Sequence, residues 1–173
     1  MLFLLVYNRE VFTFISMKEV SIETPLGVLK ITGDSEGISS ISFTEEKLSK
    51  GKKVPASLEK AVIQMREYFN GTRTTFDLKL NPNGTDFQKK VWKNLENIPF
   101  GKTVCYLSVA KQLGDPKVIR AAASANGKNP LAIVIPCHRV IGSDGSLTGY
   151  AGGLHRKKWL LEHESPVTQI SLF

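Results

Sequence analysis

Cys137 lies in the stretch Ile133–Ile141, IVIPCHRVI, and is one of only two cysteines in the 173-residue chain. The thiolate is the nucleophilic form of cysteine, and His138 and Arg139 directly after it can both favour that form. The β-branched run before Pro136 reads as a strand that stops there, because proline has no N–H to donate to a ladder. A strand ending in this way presents a reactive group at its tip. A buried, inert cysteine with two solvated neighbours has the same local sequence, since free cysteine is often a core residue. The rest of the chain has to separate the two readings.

Charge is unevenly spread. Up to Gly84 there are 11 Lys+Arg against 10 Asp+Glu, and from Thr85 on 12 against 6, so the half with Cys137 carries most of the net charge of +7. A basic half suits a polyanion, most simply nucleic acid, although solvated lysines give the same count. At 42% hydrophobic and 23% charged, the composition is that of a soluble globular protein. Two cysteines without a CxxC exclude a disulfide scaffold, argue against a structural zinc site and fit a reducing, cytoplasmic compartment. Residues 1–16 begin MLFLLV but are too short, and too interrupted by Arg9 and Glu10, for a membrane helix. They lack the basic start and cleavage site of a signal peptide and read as an N-terminal extension or as a translation start placed too early.

The elements that must position Cys137 follow from periodicity and punctuation. Lys18–Ser21 and Val28–Thr32 read as strands joined by the turn Thr24-Pro25-Leu26-Gly27, with a third strand at Ile38–Phe43 after Gly37. Lys47–Lys53 is polar and loop-like. Leu58, Ala61, Val62, Met65 and Phe69 have helical spacing, and Gly71 is a stop. Thr74–Leu80 is a further short strand. Asn81-Pro82-Asn83-Gly84 marks a boundary, dividing an N-terminal α/β domain (17–82) from a second domain (83–165) and a tail (166–173). Asn70-Gly71-Thr72 and Asn83-Gly84-Thr85 fit the glycosylation pattern but read as turns.

Beyond the boundary, Thr85-x-x-Gln88 is a capping box. Phe87, Val91, Trp92, Leu95 and Ile98 form an apolar stripe, with Lys89, Lys90 and Lys93 facing away. Leu107–Leu113 is a helix closed by Gly114. Asp115 caps the next, with Pro116 in its first turn, and Gly127 closes it. Two short helices joined in this way form a helix-turn-helix candidate, the second rich in alanine. Thr148–Gly153, TGYAGG, is a glycine-rich loop, and Leu154–Glu164 is the last helix, with Trp159, Leu160 and Leu161 toward the core.

From Thr85 to Glu164 the chain resembles the O6-alkylguanine-DNA alkyltransferases, or methylated-DNA–protein-cysteine methyltransferases. Pro99-Phe100-Gly101, Tyr106, Arg120 in RAAASANGKNP, IPCHRVI, TGYAGG and WLLEHE stand in the family's order. One PCHR would be a weak signal; the ordered set is specific. The resemblance implies an α+β fold: a small N-terminal domain with a short sheet, then a mostly helical, winged-helix-like domain. It implies irreversible, once-only transfer of an alkyl group from O6 of guanine, and also O4 of thymine, in double-stranded DNA to Cys137. His138 would be the base, through a bridging water, and Glu164 would orient it. Tyr106 would donate to the guanine, and Asn129 would hold the strand and loop around the site. The carbonyls of Cys137 and Val140 would accept from the guanine amino group, the N–H of Ala151 would reach O6, and Tyr150 would line the pocket. Arg120 would take the place of the flipped nucleotide, on a helix that also offers Ala121 and Ser124 to the minor groove. The family needs no cofactor or metal, and a monomer is expected.

Two departures stand out. Cys105 precedes Tyr106 where many relatives carry serine, and Ala151 replaces the serine of some members. A lesion-recognition protein without transfer would lack Cys137. A methylation-sensing regulator would need a zinc-bearing domain with several cysteines. An unrelated cysteine hydrolase would react with a peptide-like inhibitor in the absence of DNA.

Overall fold

The structure is a computed structural model and describes residues 16–46, 48 and 53–165. The expected N-terminal extension, apart from its last residue, the C-terminal tail and most of the loop at 47–53 lie outside the described residues.

Alternating apolar residues build the N-terminal sheet. Strands β1 (Lys18–Thr24), β2 (Gly27–Asp34) and β3 (Gly37–Thr44) pair antiparallel in that order. Ile22, Leu29, Ile31, Ile38 and Ile41 are buried from this sheet. In the first turn the Thr24 hydroxyl donates to Gly27 O at 2.6 Å and accepts from Leu26 N, while Gly27 takes φ +101°. Only glycine adopts that angle without a steric penalty. Helix α1 (Ala56–Phe69) covers the sheet with Leu58, Ala61, Val62, Met65 and Tyr68, and Gly71 follows at φ +73°.

No strand forms at Thr74–Leu80. The buried Gln64 side chain donates to Asp77 O at 3.1 Å and accepts from Asp77 N at 3.0 Å, so a side chain satisfies backbone groups that a ladder would have used. Only an isolated bridge joins Ile38 to Leu80. The same β3 edge also receives the second half of the chain: Ile41 N donates to Pro130 O at 2.8 Å and Ala132 N to Ile41 O at 2.9 Å.

The capping box at Thr85 forms as the sequence predicts and starts α2 (Asp86–Leu95). Val91, Trp92, Leu95 and Ile98 are buried, but Phe87 is 36% exposed and lies at the edge of the stripe rather than in it. Helix α3 (Tyr106–Gln112) leads through Gly114 to Asp115, whose carboxylate accepts from Lys117 N. A 3-10 turn at Pro116–Val118 then opens α4 (Ile119–Gly127), completing the helix-turn-helix. Helix α5 (Leu154–Glu164) closes the described chain and buries Leu160, with Trp159 and Leu161 only half-buried. One continuous apolar core runs from Ile22 in β1 to Leu160 in α5, so the two halves share their interior.

The run before Cys137 is not a strand. Leu131, Ile133 and Ile135 are buried, yet the backbone turns: Val134 N donates to Ala132 O, Ile135 N to Leu131 O and Cys137 N to Ile135 O. Ile133 has φ +74°, the one described non-glycine residue with positive φ. A β-branched side chain there costs of order 1–3 kcal/mol, which the surrounding packing has to offset. Cys137–Arg139 form a 3-10 turn, and the strand comes after them: β5 (Val140–Ile141) pairs parallel with β4 (Val104–Cys105).

Candidate active site

Asn129, just beyond the end of α4, organises the approach to Cys137. Its Nδ2 donates to Ile135 O at 2.8 Å and to Leu131 O at 3.3 Å, and its Oδ1 accepts from Leu131 N at 3.0 Å. The same Nδ2 lies 3.1 Å from Cys137 Sγ. One amide therefore fixes the tight turn and offers a donor to the sulfur. Burial pushes the Cys137 thiol above its ordinary pKa, and the Asn129 hydrogen bond and the Lys157 charge oppose that rise without cancelling it. The resting thiol is protonated at neutral pH and needs a base.

His138 and Arg139 are both buried and both engage Glu164, in the last turn of α5. His138 Nε2 is 2.8 Å from Glu164 Oε1. Arg139 donates from Nε to Oε2 at 2.7 Å, from Nη2 to Oε1 at 3.0 Å and from Nη1 to Ile98 O at 2.6 Å. This corrects the sequence reading of Arg139 as a neighbour that favours the thiolate. Its guanidinium belongs to the carboxylate, where a fork of N–H groups matches two oxygens. Tyr68, from α1, donates to Glu164 Oε1 at 2.7 Å, and Gly101 N approaches Oε2 at 3.4 Å.

This network sets the protonation states. Burial pushes the Glu164 carboxyl up, but the hydrogen bonds and charges of His138 and Arg139 outweigh it and hold the group well below the usual carboxylate range. Burial depresses the His138 pKa despite Glu164, so its ring is neutral. A neutral imidazole facing a carboxylate keeps its proton on Nε2. Nδ1 is then the basic nitrogen; it is buried and has no hydrogen-bond partner among the described residues. Burial, with the Glu164 charge, raises the Tyr68 pKa far above its ordinary value, so Tyr68 stays a donor.

Sequence reasoning missed Lys157. It is fully buried in α5, and its Nζ donates to Val140 O at 2.7 Å and Thr148 O at 2.6 Å. It thus straps the 148–153 loop to β5. A lysine between Arg156 and Lys158 reads as a solvated charge, and nothing local distinguishes the one that points inward. Tyr106 Oη donates to the same Thr148 carbonyl at 3.2 Å, holding the loop from α3.

Cys137 opens onto a cavity of about 90 Å³, which Asn126, Asn129, Tyr150, Ala151 and Gly152 also line. Beside it Arg120, Ile119, Ala123, Tyr106, Thr148 and Gly149 line a wider groove of about 530 Å³. Gly127 and Gly149 border both. Helix α4 exposes Arg120, Ala121 and Ser124 on one face and buries Ala122, Ala125 and Asn126 on the other. Val140 is buried at the start of β5, with its carbonyl held by Lys157. The structure therefore gathers Cys137, Asn129, Tyr150 and Ala151 at one cavity, Tyr106 and Arg120 at the adjoining groove, and His138 and Glu164 in the network behind. His138 is not hydrogen-bonded directly to the sulfur.

Residues 86–166 match the family model described as 6-O-methylguanine DNA methyltransferase, DNA binding domain, and residues 17–82 match that of its ribonuclease-like domain. The chain belongs to this methyltransferase family. A methylated-DNA–protein-cysteine methyltransferase of Methanosarcina barkeri is 47% identical over 153 residues, covering 83% of this chain and 94% of that protein. The crystal structure of the Mycobacterium tuberculosis O6-methylguanine methyltransferase superposes with a TM-score of 0.77 at 42% identity, covering 86% of this chain and 93% of that one. The Mycobacterium tuberculosis protein OGT in complex with DNA gives a TM-score of 0.77 at 44% identity, covering 84% of this chain and 91% of that one.

Proposed function

We propose that this protein repairs DNA by moving an alkyl group from O6 of guanine onto Cys137. The observation that carries this is a buried thiol beside a small cavity, followed in sequence by a neutral histidine held on a buried glutamate. Nδ1 of His138 takes the thiol proton through a bridging water, and the imidazolium is stabilised by Glu164. The sulfur attacks the alkyl carbon, the C–O bond breaks, and its electron pair leaves with the guanine. Tyr106 turns its one hydroxyl proton from the Thr148 carbonyl to the base as the base gains charge, while Ala151 N–H reaches O6 and the carbonyls of Cys137 and Val140 accept from the amino group. Arg120 fills the space left in the duplex by the flipped nucleotide, and α4, with Ala121 and Ser124, follows the minor groove. A guanine inside a stack cannot reach a thiol at the end of such a cavity, so flipping is required.

The product is a thioether, which thiol exchange cannot reverse, so each molecule acts once. No cofactor enters the balance. The partner is duplex DNA containing O6-alkylguanine, and the protein acts as a monomer in the cytoplasm. The test is mass spectrometry after mixing the protein with duplex DNA carrying O6-methylguanine. The expected result is one added methyl group on the Cys137 peptide, complete at equimolar lesion. Binding to that DNA with no mass gain would replace transfer with lesion recognition.

A further inference from the structure

The cavity beside Cys137 is not built from the helical half alone. Ile41, Ser42 and Phe43 of β3 line it as well. Phe43 is half-buried and packs on the 148–153 loop so closely that a Cβ added to Gly152 would lie 3.1 Å from its ring and 2.8 Å from the ring of Tyr150. Only a bare glycine backbone fits between the two rings. Arg156 locks this arrangement. Its guanidinium carbon sits 4.8 Å above the Phe43 ring. From there Nη1 donates to Gly152 O and Nε to Leu26 O, each at 3.0 Å, while Nη2 reaches the exposed Glu45 at 3.2 Å. A planar fork that stacks on a ring and holds two carbonyls fixes the spacing between the N-terminal sheet and the loop.

We propose that Phe43 is the size-limiting wall of the alkyl pocket and that Arg156 is the positioning residue that holds this wall against the 148–153 loop. This rests on the transfer reaction proposed above. The N-terminal sheet then acts as a specificity element for a reaction whose nucleophile, base and carboxylate all lie in the helical half. At about 90 Å³ the cavity takes a small alkyl group. It is smaller than an apolar cavity of roughly 150 Å³ that binds benzene.

The test compares single-turnover transfer from O6-methylguanine and O6-benzylguanine in the same duplex, read as mass added to Cys137. Phe43→Ala is expected to raise the benzyl-to-methyl rate ratio by about tenfold or more, the scale on which hydrophobic pockets discriminate by size. Arg156→Ala should raise the ratio in the same direction by less, and Glu45→Gln, which removes only the exposed contact, should leave it unchanged. Phe43→Leu serves as the milder variant if Phe43→Ala does not fold, and retained methyl transfer shows that a variant is folded. An unchanged ratio in a Phe43 variant that still transfers methyl overturns the proposal and leaves the reaction standing. Failure of the unsubstituted protein to gain a methyl group overturns the reaction itself.

Discussion

Cys105 and Cys137 carry the same thiol in opposite surroundings. Cys105 is half-buried at the entry to α3, 3.2 Å from Ser108 Oγ, and the Ser108 hydrogen bonds pull its pKa below the ordinary value. Cys137 is 5% exposed, and burial pushes its pKa up. Judged by resting acidity, Cys105 is the better nucleophile. It lines neither the cavity at Cys137 nor the adjoining groove, and among the described residues its side chain is bonded to Ser108, not to a base backed by a carboxylate. In the proposed reaction, reactivity follows from surroundings that can move a proton at the moment of attack, not from how much thiolate stands ready.

The sharpest way to break this comparison is to remove each thiol in turn. Cys137→Ala should abolish transfer while keeping DNA binding, and Cys105→Ala should stay within about twofold of the parent rate, since it touches no part of the relay. Transfer persisting without Cys137 would reverse the two roles. The next effect is at Glu164. Glu164→Ala leaves the Arg139 charge buried and unpaired and should lower stability by about 3–5 kcal/mol in urea unfolding. Glu164→Gln keeps the shape and should keep the fold, while slowing transfer by roughly a hundredfold, the lower range of a general-base contribution. A rate that stays at the parent value across pH would remove the glutamate from the relay.

Smaller again is Arg120→Ala. It should slow repair of duplex DNA by roughly tenfold, a fraction of the cost of flipping, and leave reaction with free alkylguanine base nearly unchanged. Equal slowing of both substrates would show that the arginine acts on chemistry and not on the duplex. The smallest effect is on pH. The folded pKa of His138 lies below its ordinary value of 6.5. As the pH falls below that value the unfolded chain takes up the proton first, so stability drops between the ordinary and the folded pKa. Glu164 is depressed too, and its contribution is present above its ordinary value of 4.5 and lost as the pH falls further. Calorimetric melting temperatures should therefore decline steadily from pH 7 to pH 4. A His138→Asn variant should flatten the first part of that decline; an unaltered slope would place the titration elsewhere.

Local signals were legible wherever local bonding decides the outcome. The Thr85–Gln88 capping box, the Asp115 cap, the Gly71 and Gly114 stops and both ends of α5 form as read, because each rests on backbone groups only a few residues apart. Two apolar runs misled. Thr74–Leu80 has strand composition but loses its ladder to a glutamine from α1. Ile133 and Ile135 are buried in a chain of turns with Val134 half-exposed between them, and the β-branched character serves packing and not a sheet. Composition reports how apolar a run is, not which partner its backbone finds.

The chain's own order of residues marked out Cys137 as the candidate nucleophile and, through the family resemblance, pointed to His138, Glu164 and Arg120 as its partners, because these stand in motifs that survive without coordinates. Only the tertiary structure decided how they connect. Tyr68 reaches Glu164 across 96 positions, Arg139 turns out to serve the carboxylate, Lys157 points inward beside the solvated Lys158, and Phe43 crosses from the sheet to line the cysteine's cavity. Each of these is a long-range choice made by burial. A polar group taken out of water must find a partner, and which one it finds depends on what the fold brings within about 3 Å.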